Sequence, residues 1–430
     1  MVIDTTIKKG LSDETSVKVG YKQTELGVIP EDWDVKRLGD IGDTIIGLTY
    51  SPNEVVDYGK LVHRSSNIQN NRLSYDDNVY VDKTINEKLI LKDKDILICV
   101  RNGSRDLIGK SALIRGKSVG ETFGAFMSVF RTDKCQLFIY YLILSNLIQR
   151  QISQSLGATI NQITNKTLNN FKIPYPPKSE EQNTIATVLA DTDALIERLE
   201  KLIAKKKAIK QGAMQQLLTG KKRLPGFSGE WEVKKLGEIF SFVVDNRGKT
   251  PLLSKEGKPL IEVNAIYRQG KSPNYSLVTK FVSQLTYEKW FRDGHPKKGD
   301  ILIVTVGSAG VSSYIKEEKG CIAQNIISLR IDKNYSSEFV YYYTLTRYFQ
   351  DQVKSVLMGA VQPSLKVPHL ESFDIWFPKN IEEQTAIATI LSDMDAEIES
   401  LEQKRDKYTM LNQGMMQQLL TGRIRIYANN

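Results

Sequence analysis

Cysteine and histidine are scarce in this chain, which has three of each among 430 residues. The cysteines, Cys99, Cys135 and Cys321, lie far apart in or beside apolar stretches, so their pattern predicts buried free thiols rather than a disulfide framework. The histidines are also scattered through the sequence. This argues against a metal site and against catalysis by histidine, because both need several groups within reach of one another.

Long apolar runs are missing as well. No run approaches the roughly 20 residues of a membrane-spanning helix, and residues 1–20 are polar with mixed charge, unlike a signal peptide. We therefore expect a cytoplasmic protein. The hydrophobic fraction of 41% and the charged fraction of 25% are typical of globular proteins. The net charge of +9 favours a polyanionic partner such as nucleic acid, although many basic proteins bind none.

The chain contains a tandem repeat. The string Gln-Gln-Leu-Leu-Thr-Gly occurs at residues 215–220 and again at 417–422, and Glu181 recurs as Glu383. These pairs share one offset (383 − 181 = 202), and about 40 residues repeat without an insertion. In a helix, each inserted residue turns the following side chains by about 100°, so a repeat without gaps indicates a helix with a constrained face.

The segments before these helices repeat more loosely. Residues 33–39, Trp-Asp-Val-Lys-Arg-Leu-Gly, match residues 231–237, and the string Asp-Ile-Leu-Ile at 95–98 matches residues 300–303. The offset drifts between 198 and 205, so the intervening loops differ in length. The tryptophan that opens each segment is expected to pack in the core. A repeated scaffold with divergent loops is how one fold carries two binding specificities.

The sequence pattern of both globular halves predicts mixed α/β structure. Residues 95–100 and 299–306 are apolar and read as buried strands, and residues 138–152 and 337–353 show helical periodicity. Polar loops follow the two buried strands, which places hydrogen-bonding side chains at the strand ends.

Residues 180–219 and 382–421 each predict one long helix, of about 60 Å at 1.5 Å per residue. The expected class is α+β: two globular α/β halves separated by a long antiparallel two-helix coiled coil, in a pseudo-twofold tandem repeat. In the alternative arrangement, each helix folds back on its own half. The residues predicted to pack between the helices are Ile185, Leu195, Leu199, Leu202, Ile209, Leu217, Ile387, Ile398, Leu401, Leu411 and Leu419.

Known catalytic motifs are absent or incomplete. Residues 103–111 resemble a phosphate-binding loop, but the first glycine that such a loop requires falls at Ser104, and the second half has no counterpart. Residues 173–177, Ile-Pro-Tyr-Pro-Pro, are similar to the tetrad of amino-methyltransferases but lack the polar residue that binds the target amine. No carboxylate and lysine cluster of a nuclease is evident. We therefore predict a binding protein rather than an enzyme, with no catalytic and no metal-binding residues.

With this organisation, the chain resembles the specificity (S) subunits of type I restriction–modification systems. The resemblance rests on the Trp-x-x-x-Arg/Lys-Leu-Gly start, the Asp-Ile-Leu-Ile strand, the Ile-Pro-x-Pro-Pro exit, the Glu-Glu-Gln-x-x-Ile-Ala helix opening and the closing Gln-Gln-Leu-Leu-Thr-Gly. It covers about residues 21–424. The domains it implies are an N-terminal extension at 1–20, target-recognition domains at 21–177 and 222–378, a central conserved helix at 178–221 and a C-terminal conserved helix at 379–430.

The resemblance implies a non-catalytic DNA-specificity subunit. Each target-recognition domain would read one part of a bipartite, asymmetric sequence in double-stranded DNA, and the helices would set the spacer and dock two modification (M) subunits. Restriction (R) subunits would join through M. No cofactor is expected on this chain; S-adenosylmethionine and ATP with Mg²⁺ are expected on the partner subunits.

Side chains that reach base edges, namely Arg, Lys, Asn, Gln and Ser, cluster in the divergent loops. The candidate DNA-binding residues are Arg64, Ser65, Asn67, Arg101, Asn102, Arg105, Asn161 and Gln162 in the first half, and Asn246, Arg247, Lys249, Asn264, Arg268, Ser308, Gln324, Gln362, Ser364 and Lys366 in the second. Two other hypotheses remain open at this stage: a methyltransferase or nuclease with an unrecognised site, and a coiled-coil scaffold with no role on DNA.

Overall fold

The computed structural model describes residues 18–157, 161–248, 250–268, 270–358 and 363–426. The chain divides into two compact units: the first takes in the chain up to Arg198 and from Arg405 onward, and the second takes in Leu199–Lys404. Each unit thus combines one globular half, the first part of the long helix that follows it, and the last part of the other long helix. The predicted domain boundaries follow the sequence repeat, whereas this division cuts both long helices.

The first unit contains two four-stranded sheets. In spatial order, the antiparallel sheet has strands Ser111–Leu113, Ile96–Cys99, Met127–Arg131 and Asp43–Ile46, and the second sheet has Thr122–Phe123, Lys60–His63, Tyr80–Val81 and Val55–Val56, of which the first two are parallel. Three smaller pairings join Tyr21–Thr24 with Gly27–Pro30, Asp34–Arg37 with Lys172–Tyr175, and Ile68–Gln69 with Arg72–Leu73. The short α-helices are Gln136–Leu144, Asn146–Ser155 and Asn165–Asn169.

The second unit repeats this plan. Its antiparallel sheet has strands Phe240–Val244, Ile326–Ile331, Ile301–Val304 and Ser312–Tyr314, and its second sheet has Leu253–Ser254, Phe281–Val282, Lys258–Ile261 and Cys321–Ile322. Trp231–Lys235 pairs with Asp374–Pro378. The short α-helices are Gln284–Lys289, Ser337–Thr344, Arg347–Leu357 and Val367–Ser372. The helical segments predicted at 138–152 and 337–353 are therefore each divided into two helices.

Each unit has one of the two predicted buried strands in its core: Ile96–Cys99 in the first and Ile301–Val304 in the second. Ile96 and Ile98 pack among the short helices, whereas Leu97 and Cys99 on the opposite face pack against the second sheet. Successive side chains of a strand point to opposite faces, so a strand that is covered on both faces has a continuous run of apolar residues in its sequence. Trp33 is fully buried as predicted, and Trp231 is half-buried.

The long helices span Ser179–Leu217 and Ile381–Leu419, within two residues of their predicted ends. Within each unit the two helices run antiparallel: as the residue number falls along one helix, the number of the residue that it contacts on the other chain segment rises. In the first unit Asn412 contacts Asp193, and Arg425, beyond the helix end, contacts Glu181.

The repeated Glu-Glu-Gln and Gln-Gln-Leu-Leu-Thr-Gly strings have structural roles. In the first unit, Arg425 donates to both oxygens of Glu181, and the Trp33 indole donates to Oε2 of that carboxylate at 3.3 Å. The next residue, Gln182, donates to the Pro176 carbonyl at 2.8 Å. Leu420, from the closing string, is buried in the same core. The start of one helix is therefore fastened to the end of the other.

The second unit has the equivalent fastening. Arg223 donates to both oxygens of Glu383 at 2.6 and 2.7 Å, Gln384 donates to the Pro378 carbonyl at 2.8 Å, and Leu218 is buried in the core. These residues follow the same 202-residue offset as the helices, so the gap-free repeat preserves a pair of matching clamps.

The predicted packing positions are partly wrong. Leu202, Ile209 and Leu411 are 38%, 47% and 50% exposed. The side chains that are buried next to Leu195 and Leu202 are those of Ile196 and Ile203. The predicted positions that are buried are Ile185, Leu199, Leu217, Ile387, Ile398 and Leu419, while Leu195 and Leu401 are half-buried. Leu195–Ile196 and Leu202–Ile203 are adjacent apolar pairs that lie about 100° apart on a helix, so a heptad pattern does not decide which member faces inward.

Candidate nucleic-acid interface

The polar loops of the first unit meet where the central strand Ile96–Cys99 ends. The amide of Val100 and that of Arg101 donate to the Phe126 carbonyl at 3.0 and 3.1 Å, and the Ile163 amide donates to the Val100 carbonyl at 2.8 Å. Arg101 also forms an isolated antiparallel bridge with Gln162. Three chain segments are therefore held side by side by backbone hydrogen bonds.

Several predicted residues come together at this point. Asn102 donates to the Ser65 hydroxyl at 3.0 Å, and Asn161 donates to the Gly103 carbonyl at 3.0 Å. The side chains of Arg101 and Gln162 are exposed. Sequence positions separated by up to about a hundred residues thus form one polar surface, because the loops that carry them meet at the end of the central strand.

Other predicted residues of the first unit form hydrogen bonds or ion pairs that hold the loops in place. Asn67 is fully buried, and its amide donates to the carbonyls of Ser74 and Asp77 at 3.2 and 3.0 Å. A side chain without exposed atoms does not reach a base, so its assignment as a DNA-binding residue is wrong. Arg64 pairs with Asp77 at 2.7 Å. Arg105 is exposed and donates to the Ser153 carbonyl at 2.9 Å.

The second unit places its loops on the same backbone framework. The Thr305 amide donates to the Asn325 carbonyl at 2.8 Å, and the Leu365 amide donates to the Thr305 carbonyl at 2.9 Å. Val306 forms an antiparallel bridge with Ser364, as Arg101 does with Gln162 in the first unit. The neighbouring predicted residues Gln324 and Lys366 are exposed, and Ser308 is half-buried.

Arg247 and Asn246 stabilise the second-unit loops from within. Arg247 pairs with Asp245, with its Nε 2.7 Å from Oδ1, and donates to the Leu365 carbonyl at 3.3 Å. Burial alone would raise the pKa of Asp245, but the hydrogen bonds from Arg247 outweigh it and hold that pKa below its ordinary value. Asn246 is buried and donates to the Gly294 carbonyl at 3.0 Å, so its assignment to DNA contact is wrong.

The remaining predicted residues lie elsewhere. Asn264 and Arg268 are exposed at another turn, where Asn264 donates to the Leu277 carbonyl at 3.0 Å and Arg268 has a positive φ of 59°. Lys249 and Gln362 fall outside the described residues.

Sequence reasoning missed three exposed residues on this surface. Phe126 is 54% exposed, and the guanidinium carbon of Arg101 lies 4.9 Å from the centre of its ring. Val306 is 41% exposed, and Asn325 is exposed. Val306 was missed because it ends the apolar run predicted as a buried strand at 299–306, and the sequence carries no signal that separates Phe126 from a core residue.

No cluster of potential metal ligands was found among the residues that the structure describes. Burial raises the pKa of the Cys99 thiol to about 11 and that of Cys321 to about 12, so both remain protonated near neutral pH. Both are buried as predicted, and Cys135 is half-buried. Within the described ranges, no helix has the length and apolar character that a membrane span requires.

Comparison with known families accounts for the two equivalent units. A family profile described as the type I restriction modification DNA specificity domain matches the chain twice, over residues 30–211 and 228–408. This chain belongs to that family. The resemblance predicted from the sequence motifs is therefore confirmed, and so is the predicted class of a tandem α+β repeat with two long helices.

Relatives match along most of the chain. The type I restriction enzyme MjaVIII specificity subunit of Methanocaldococcus jannaschii is 26% identical over 424 residues, which cover 93% of this chain and 94% of the relative. The EcoKI specificity subunit of Escherichia coli is 28% identical over 256 residues, 56% of this chain and 55% of the relative. The crystal structure of the S subunit from M. genitalium shares the fold, with a TM-score of 0.60 at 18% identity, covering 90% of this chain and 96% of that one.

Proposed function

We propose that this chain is the DNA sequence-specificity subunit of a type I restriction–modification complex, in which each unit reads one part of a bipartite, asymmetric target. The chain itself has no catalytic role in this proposal. The relatives that match it over most of their length carry the name of specificity subunits, which supports the assignment.

One observation carries the proposal: the same backbone framework presents different side chains in the two units. The bridge between Arg101 and Gln162 has its counterpart in the bridge between Val306 and Ser364. Base edges in the major groove are distinguished by hydrogen-bonding and apolar side chains, so two equal frameworks with different side chains suit two different half-sites.

The long helices supply the surface for two equivalent modification subunits in this proposal. Ile209 and Leu411 are related by the 202-residue offset, and both are exposed apolar residues, at 47% and 50%. An exposed apolar side chain that recurs at an equivalent helix position suits a partner that binds twice. Restriction subunits would join through the modification subunits, which would carry S-adenosylmethionine, while the restriction subunits would use ATP and Mg²⁺.

The DNA-binding role is tested with the complete chain and its cognate modification subunits. Methylome sequencing of cells that express the complex should find one bipartite adenine motif, and gel shifts should show preference for that motif. The affinity of the complex for DNA should fall steeply as the salt concentration rises, because contacts with DNA phosphates release counterions. A complex without any sequence preference would refute the proposal and favour a scaffold. Crosslinking of S-adenosylmethionine to the chain alone would favour a methyltransferase instead.

The docking surface is tested by stoichiometry. Ile209→Asp and Leu411→Asp should each leave a complex with one modification subunit instead of two in native mass spectrometry. Leu202→Asp is the matched control, because Leu202 is 38% exposed but its repeat counterpart is Lys404, so the apolar character is not repeated. Retention of two modification subunits by both test variants would place the docking surface elsewhere.

A further inference from the structure

Three exposed positions in the first unit belong to three neighbouring backbone segments. They are Arg101, just after the central strand, Phe126, in the turn before strand Met127–Arg131, and Gln162, bridged to Arg101. The Phe126 carbonyl accepts the amides of both Val100 and Arg101, so the backbone that carries the ring is held in place. The ring itself is 54% exposed.

The second unit has the same three positions with different chemistry. Val306 follows the central strand, Asn325 precedes strand Ile326–Ile331 and accepts the Thr305 amide, and Ser364 is bridged to Val306. The first unit thus shows a cation, an aromatic ring and an amide in this order, and the second shows an aliphatic group, an amide and a hydroxyl. The aromatic ring and the amide of Asn325 occupy equivalent middle positions.

The backbone of the middle residue holds the loops in both units, but its side chain has no scaffold role that the two units share. A phenylalanine ring that is more than half exposed contributes little to the core, and leaving such a ring in water is unfavourable. The Arg101 guanidinium lies over the ring at 4.9 Å, an arrangement that orients the cation beside it. Asn325, by contrast, presents a donor and an acceptor at the same place.

We infer that these three positions form a matched base-reading site in each unit and that Phe126 and Asn325 are specificity-determining residues. Phe126 makes an apolar contact with a thymine methyl group, next to a base pair whose guanine is contacted by Arg101. Asn325 instead hydrogen-bonds an adenine edge in the other half-site. This inference rests on the proposed function, since it requires that the two units read DNA.

The test uses the complete chain with its modification subunits and a set of duplexes in which each base pair of the motif is substituted in turn. For the wild type, substituting the base pair that Phe126 contacts in the first half-site should weaken binding about ten-fold or more. Phe126→Ala should abolish discrimination at that position and leave the other positions, including the whole second half-site, unchanged. Asn325→Ala should have the corresponding effect at one position of the second half-site only.

Tyr58→Ala is the control, because Tyr58 is an exposed aromatic residue of the first unit outside these three positions. A discrimination profile for Phe126→Ala that overlays the wild type at every base pair would overturn the inference. A uniform loss of binding at all positions, in a variant with an unchanged melting temperature, would overturn it too, because it would indicate a backbone contact. Failure of the proposed function is distinguishable, since the wild-type complex would then show no preferred motif.

Discussion

Lys210 and Asn412 occupy equivalent positions in the two long helices, yet Lys210 forms an ion pair with Asp395 whereas Asn412 donates a neutral amide to Asp193 at 2.7 Å. The aspartates are themselves equivalent, and each accepts a tyrosine hydroxyl at 2.8 Å, from Tyr342 and Tyr141 respectively. The helices that repeat so closely therefore differ in charge at one contact. This makes the two helix pairings electrostatically distinct.

The ion pair should contribute to stability in a salt-dependent way. We expect Lys210→Asn to lower the free energy of unfolding by about 1–2 kcal/mol at low salt, because the pair is partly shielded from water. The loss should shrink at high salt. Lys207→Asn is the control, because Lys207 pairs with Glu402 in a more exposed setting and should cost less than about 0.5 kcal/mol. Equal losses in thermal denaturation of the two variants would contradict this explanation.

The two glycines that end the repeated string have unequal surroundings. Gly422 and Gly220 have φ of +68° and +67°, which disfavours any side chain, but a Cβ on Gly422 would also lie 2.4 Å from the Pro30 ring. On Gly220, the nearest atom would be 3.3 Å away, on Trp231. We expect Gly220→Ala to cost about 1 kcal/mol and Gly422→Ala about 2–4 kcal/mol. Calorimetry of the full chain measures both, and similar losses would show that the contact with Pro30 relaxes freely.

The ends of the long helices could be predicted from the sequence, whereas the exposure of individual loop residues could not. The helix ends were predictable because a repeat without gaps, a terminal glycine and the first-turn carboxylates all point to the same residues. Asn67 and Asn246 were wrongly assigned because an asparagine that satisfies buried carbonyls has the same sequence appearance as one that faces solvent. Phe126 was missed because its exposure depends on how distant segments meet at the strand ends.

Asp32 should link the stability of the first unit to pH. Its carboxylate accepts hydrogen bonds from Arg425 at 2.8 and 3.0 Å, which hold its pKa below the ordinary value. A carboxylate whose pKa is depressed by folding stabilises the fold above its unfolded pKa and loses this contribution as pH falls through the folded pKa. We expect Asp32→Asn to cost roughly 0.5 kcal/mol at pH 7, since the pair is exposed to solvent.

This difference between Asp32→Asn and the wild type should shrink in acid and vanish once the pH has fallen through the depressed pKa of Asp32 in the folded chain, because the wild-type carboxyl group is then as neutral as an asparagine amide. Asp34→Asn removes the same charge from an exposed position two residues away and serves as the control. Melting temperatures measured across pH 2–7 test the expectation. A cost for Asp32→Asn that persists unchanged in acid would show that the carboxylate acts through packing rather than charge.

The length of the helices should set the spacing between half-sites. Inserting four residues after Lys205 and four after Arg405 extends both helices by about 6 Å, the length of about two base pairs. We expect the methylated motif to keep both half-site sequences and to gain a longer spacer, because the base-reading loops and the clamps at Glu181 and Glu383 are left intact. An insertion after Lys205 alone is the control, since it breaks the register between the helices and should lower the melting temperature. Altered half-site sequences with an unchanged spacer would show that the helices do not measure the distance.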